Sequence, residues 1–152
     1  TVFPTSAPAN VSELVTSKDY EVTVVQFRKL DTVYLDTEYH WVPLPGYMFL
    51  ELGVKVNNLR GASQISVPWK SMTVLDEAGN LLSPEWAGYK ASDNGTDINP
   101  KSLIFKSIED RNETVVFKKE VFLRLIYIVA KENTITTVLF SFDDSPMIQV
   151  ER

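Results

Sequence analysis

His40 is the only histidine in the chain, and there is no cysteine. Zinc hydrolases hold their metal with several imidazole or thiolate ligands, so that chemistry has nothing to build on. Thiolate nucleophiles and disulfides are excluded by the same absence. A Ser-His-Asp triad would have to use His40, and no Gly-x-Ser-x-Gly elbow nominates a serine to go with it. His40 stands between Tyr39 and Trp41, just ahead of Pro43 and Pro45. Packing at the edge of a loop is the plain account of such a residue; a small secreted hydrolase working through His40 is the alternative.

Asp93, Asn94, Gly95, Thr96 and Asp97 form a second constellation. Hard cations need several oxygen ligands, and carboxylates spaced around a glycine turn supply some of them. The twelve-residue calcium signature is incomplete, and no glutamate closes it. Asp and Asn before Gly are also ordinary turn residues. A calcium-stabilised structural module using Asp93 and Asp97 therefore stands beside the simpler account, a turn. No glycine-rich phosphate loop or dinucleotide fingerprint is present, so no nucleotide cofactor is expected. The Asn-x-Ser/Thr stretches at Asn10, Asn94 and Asn112 have meaning only in a glycosylating host.

Large aromatics are the remaining candidates. Trp86 and Tyr89 fall in SPEWAGYK, within a stretch (83–100) that holds two prolines and two glycines and shows no period. Such a segment reads as the longest loop, and aromatics on loops offer contact area at low entropic cost. Trp41, Trp86 and Tyr89 are the candidate ligand-binding residues, for a protein or carbohydrate; folding back to cap the domain is their structural alternative. Trp69, at the entry to a strand, is expected in the core.

These side chains must be mounted on strands. YMFLELGVKVNN places Met48, Leu50, Leu52, Val54 and Val56 on one face and Glu51, Gly53, Lys55 and Asn57 on the other, the alternation of a half-buried strand. YEVTVVQF changes its apolar face part-way, which predicts a β-bulge. WKSMTVLDEAGNLL predicts a strand over 70–75, with Gly79 supplying the positive φ of the hairpin turn that follows. Residues 117–129 are rich in β-branched types, which favours two strands, breaking near 122–124, over one helix. TITTVLFSF and MIQVER close the set. About seven to nine strands with turn signals between them are the pattern of an all-β sandwich.

The chain is 152 residues long with net charge −5. One domain of this size buries roughly 70% of the surface its unfolded chain exposes. No run approaches the roughly 20 apolar residues that span a bilayer. Lys and Arg are not clustered, so neither nucleic acid nor an anionic membrane is an expected partner. TVFPTSAPANVS cannot bury enough apolar surface to order itself. It reads as a tether over 1–12, ahead of a domain over 13–152, and suits an exported chain or one with a lipid anchor upstream. Oligomeric state is not encoded in any recognisable pattern.

The order of segments resembles a bacterial family of immunoglobulin-like extracellular domains, many of them lipoproteins. A short strand at Leu14, Val15 and Thr16, a turn at Asp19 and a Val-rich strand from Tyr20 match its opening. PGYMFLELGVKVNN matches its aromatic-aliphatic-Val-Asn strand through Phe49, Val54, Val56 and Asn57. TVLDEAGN matches its aliphatic-Asp-x-x-Gly turn through Leu75, Asp76 and Gly79. A proline commonly follows the valine of the late strand RLIYIVA; here Ala130 stands there. The resemblance spans about residues 11–150 and carries no catalytic residues. It implies an immunoglobulin-like antiparallel β-sandwich, an extracellular, cell-surface or periplasmic location, and a non-catalytic binding or accessory role.

Overall fold

A computed structural model describes residues 14–16, 20–34, 40–61, 64–92, 106–107, 114–140 and 148–151. The expected tether, Asp93, Asp97 and the asparagines Asn10, Asn94 and Asn112 lie outside them. The strands are β1 (Leu14–Thr16), β2 (Tyr20–Leu30), β3 (Val33–Tyr34), β4 (His40–Trp41), β5 (Tyr47–Asn58), β6 (Ile65–Val67), β7 (Thr73–Asp76), β8 (Leu81–Leu82), β9 (Trp86–Ser92), β10 (Lys106–Ser107), β11 (Val115–Phe117), β12 (Glu120–Ala130), β13 (Ile135–Phe140) and β14 (Ile148–Glu151). One layer is a six-stranded sheet ordered β1-β2-β5-β12-β9-β10; facing it are a four-stranded sheet, β14-β13-β7-β8, and the pair β11-β6. Every pairing is antiparallel. The fold is an antiparallel β-sandwich, as the strand patterning predicts.

The core lies between the layers. Leu50, Leu52, Val54 and Val56 of β5 meet Val22 and Val24 of β2 and Leu123, Leu125 and Tyr127 of β12, all fully buried. From the other layer come Val67, Trp69, Val74, Val138 and Phe140. Two tyrosines stitch the layers: the Tyr20 hydroxyl donates to the Ser66 carbonyl (2.9 Å), and the Tyr127 hydroxyl to the Met72 carbonyl (2.6 Å). The expected bulge is present, where the β2–β5 register shifts between Val24 and Gln26. Gly79 has φ 89° in the β7–β8 turn, as expected.

Four expectations are corrected. The strand expected over 70–75 begins at Thr73, because Pro68 leads into a 3₁₀ turn, Trp69–Ser71, that buries Trp69. Residues 83–100 are not one loop: β9 runs through Trp86 and Tyr89, paired to β12 from Trp86 to Ser92. Pro84 and Gly88 hid this strand. The former precedes it, and the latter sits opposite Arg124, where a glycine is compatible with pairing. The break expected near 122–124 falls at Lys118 and Lys119, whose carbonyls accept from the side chain and the backbone of Asn58 respectively, leaving β12 continuous. His40 and Trp41, expected in a loop, form a short ladder with Tyr34 and Val33.

Candidate binding surface

On the face of the six-stranded sheet turned away from the main core, the register fixes side chains in rows. One row runs Leu30, Phe49, Ile128; the next Arg28, Glu51, Ile126, Trp86; then Gln26, Gly53, Arg124, Gly88; then Thr23, Lys55, Phe122, Lys90. A strand with one wet face should expose Glu51, yet it is 1% exposed. Both carboxylate oxygens are taken. Arg28 Nε donates to Oε1 at 2.8 Å; Arg124 donates to Oε2 through Nε at 2.8 Å and lies 2.7 Å from it through Nη2. Removing a carboxylate from water costs several kcal/mol, and paired guanidinium forks are what offset it. Two cations on one anion leave the triad with one positive charge in excess. The Arg124 guanidinium also lies 5.9 Å from the centre of the Trp86 ring, a cation–π distance.

Below the triad the backbone itself is the packing surface. A Cβ on Gly53 would lie 3.0 Å from Gln26 Cβ and 3.1 Å from Phe122 Cζ, so the glycine lets the Phe122 ring lie against β5. Lys55 pairs with Glu120 at 3.3 Å. The other Glu120 oxygen is buried without a hydrogen-bond partner among the described residues. Burial pushes the Lys90 ammonium below its ordinary pKa.

Above the triad the β3–β4 hairpin lies over the sheet. Val33, Phe49 and Ile126 form a second small core, with Leu30 and Trp86 against it. Trp41 packs on Phe49 (ring centres 6.4 Å, tilted) and edge-on to Trp86 (6.5 Å, 82°), within the range of favourable aromatic pairs. The chain then runs through Val42, Pro43, Leu44, Pro45 and Gly46. Tyr47 N–H donates to the Leu44 carbonyl (3.0 Å), and Gly46 has φ 89°. Proline and glycine at the centre of that hydrogen bond are the signature of a type II turn. Lys131 N–H donates to the Gly46 carbonyl (3.0 Å), pinning the turn to the end of β12. This fixed loop exposes Val42 by 67% and Leu44 by 75%, with Trp41, Tyr47 and Ile128 each more than a third exposed beside it.

Of the aromatics expected to meet a ligand, Trp41 and Trp86 therefore touch each other, although 45 positions apart in sequence. Tyr89 is on the opposite face of β9, half-buried against the main core. His40 is exposed on β4. Among the described residues no three His, Cys, Asp or Glu side chains gather closely enough to hold a metal ion. The Arg28–Glu51–Arg124 triad is invisible to sequence reading: each residue is an ordinary polar position on an alternating strand, and only the register joins them.

No family model matches the chain, and no curated protein matches it in sequence. Solved structures do resemble it. The secreted protein MPT63 of Mycobacterium tuberculosis superposes with TM-score 0.58 at 13% identity, covering 97% of this chain and 100% of that one. A conserved hypothetical protein from Bacillus anthracis gives TM-score 0.56 at 14% identity over 92% and 94% of the two chains. An uncharacterised β-sandwich protein from Clostridium difficile gives 0.54 at 10% over 97% and 99%. These likenesses define the class, a β-sandwich shared with secreted and uncharacterised bacterial proteins. No helix among the described residues is long and apolar enough to cross a membrane.

Proposed function

We propose that this domain is a non-catalytic, extracellular binding module that docks a protein partner through the loop over 41–47. The rigid exposure of Val42 and Leu44 carries the reading. Aliphatic side chains gain nothing from water, and a loop locked by a type II turn loses little entropy on docking. Trp41 and Tyr47 flank them, residue types that anchor protein interfaces. A sugar would stack on the aromatics but leave Val42 and Leu44 in water, which favours a protein. The likeness to a secreted protein supports the location.

The test is affinity enrichment from extracellular and cell-surface protein fractions, with wild type and a Val42→Ser/Leu44→Ser variant of matched thermal stability. A partner held by the wild type and lost by the variant is expected; identical retention by both overturns the reading. A hydrolytic activity against ester and peptide panels that disappears in His40→Ala would replace it with catalysis.

A further inference from the structure

A slot of about 300 Å³ opens at the seam where β2 of one layer passes β13 of the other. Its walls are Phe27, Arg28 and Lys29 on β2 and Thr134, Ile135 and Thr136 at the entry to β13. The β2–β5 register decides which side chains look into it. Phe27 and Lys29 stand opposite Leu52 and Leu50, which face the main core, so both point to the core side of the sheet. Arg28, between them, stands opposite Glu51 and sends its guanidinium to the other face, into the triad. Among the described residues, the cation that faces this slot is therefore Lys29.

Lys29 is held in place. Its Nζ donates to the carbonyls of Lys131 and Asn133, in the turn between β12 and β13. An ammonium has three N–H donors, so these two carbonyls leave one for a guest. Carbonyls carry no net charge, so the full positive charge stays at this end of the slot. Among the described residues that line it there is no carboxylate to cancel that charge. In a chain of net charge −5 this is a local reversal of sign. Beyond the ammonium the wall is apolar: Phe27 packs on the main core and Ile135 is 5% exposed. A fixed cation at one end and hydrocarbon along the floor complement a ligand with one negative head and an apolar tail. Liquid water takes about 30 Å³ per molecule, so the slot has room for roughly ten non-hydrogen atoms.

We propose that the slot is a binding site for a small aliphatic carboxylate, its head group on Lys29 Nζ and a tail of about five to seven carbons along Phe27 and Ile135. The charge-assisted hydrogen bond fixes the head, and removal of the tail from water supplies the rest. This site takes a different class of ligand from the 41–47 surface and does not depend on it.

Titration of the full chain with hexanoate and with hexan-1-ol, followed by amide NMR shifts, tests this. Hexanoate is expected to shift the amides of Phe27, Lys29, Ile135 and Thr136 most. It should bind about tenfold tighter than hexan-1-ol, the difference between a charge-assisted and a neutral hydrogen bond. Affinity should rise from butanoate to octanoate and level off at decanoate, once the slot is full. Lys29→Met, which removes the charge and keeps an unbranched apolar stem, should bring hexanoate to the level of the alcohol and leave the alcohol unchanged. Lys29→Arg should keep most of the preference. Equal affinity for acid and alcohol in the wild type overturns the proposal, whatever the variants do. So does a preference that survives Lys29→Met, an affinity still climbing at decanoate as on an open apolar surface, or shifts confined to other residues. Val42→Ser/Leu44→Ser leaves every wall of the slot in place, so the two surfaces fail separately.

Discussion

Glu51 and Arg124, 73 residues apart in sequence, form a buried ion pair closed by two guanidinium contacts to one oxygen. Arg124 sits opposite Gly53 on the neighbouring strand, so the pair bridges diagonally across the centre of the sheet. Breaking such a pair by removing one partner strands the other without compensation. Glu51→Ala is therefore expected to cost about 3–5 kcal/mol in urea unfolding. Arg28→Ala, which removes the exposed partner, should cost no more than about 1 kcal/mol. Equal effects of the two would mean that Arg28, not Arg124, neutralises the carboxylate.

Gly53 and Phe122 are coupled by shape. Gly53→Ala forces a methyl against Phe122 Cζ and Gln26 Cβ. Overpacking of this kind costs about 1–3 kcal/mol. With Phe122→Leu the ring edge is gone, so the double variant should be more stable than the sum of the single effects. A double-mutant cycle with zero coupling would place the strain at Gln26 instead.

Asp76 ties two turns together. Its Oδ1 accepts from the backbone N–H of Asn80 (2.8 Å) and of Ala78 (3.0 Å), and its Oδ2 from the side-chain amides of Asn80 (3.2 Å) and of Asn133 (3.1 Å), the last beyond the end of β12. The Asn80 N–H contributes most to holding the carboxyl below its ordinary pKa; desolvation opposes it. A pKa lower in the folded state gives stability that is present above the unfolded value, about 3.9, and lost as pH falls through the folded one. Thermal melts between neutral and acid pH should therefore fall less steeply below about pH 4 in Asp76→Asn than in wild type. Parallel acid limbs would contradict this.

Tyr127 is fully buried, and burial pushes its phenol well above the ordinary range. Its hydroxyl satisfies the Met72 carbonyl. Tyr127→Phe leaves that acceptor buried and unpaired, at a cost of about 1–3 kcal/mol. In an alkaline absorbance titration of wild type, this phenol should ionise only with unfolding, and the step should vanish in the variant.

The fold was legible where alternation was strict. β5 was readable because its apolar residues fall two apart, and the β7–β8 turn because Gly79 needs a positive φ. β9 was not, since glycine and proline punctuate strands and loops alike, and only the two-sided pairing of Trp86 to Ser92 distinguishes them. The continuity of β12 was missed for a related reason. Buried on both faces over most of its length, it lacks the polar alternation that marks a strand with one wet side. For the candidate surface, residue types pointed to Trp41 and Trp86, but nothing in the sequence joins them. Glu51 carried no signal, because burial of a carboxylate depends on guanidiniums delivered by two other strands.

The order β2-β5-β12-β9 has a consequence for how the chain reaches this state. β5 is complete at Asn58, but its second neighbour, β12, begins at Glu120. β9 likewise waits for the same late strand. A nascent or translocating chain, emerging amino end first, therefore exposes the flank of β5 until β12 arrives, and any break before Glu120 leaves both strands unsealed. Assembly of the six-stranded layer is thus governed by long-range closure, which is slow in sheet proteins. A chaperone or a transport channel that delays collapse until β12 has emerged would prevent that flank from pairing with another copy.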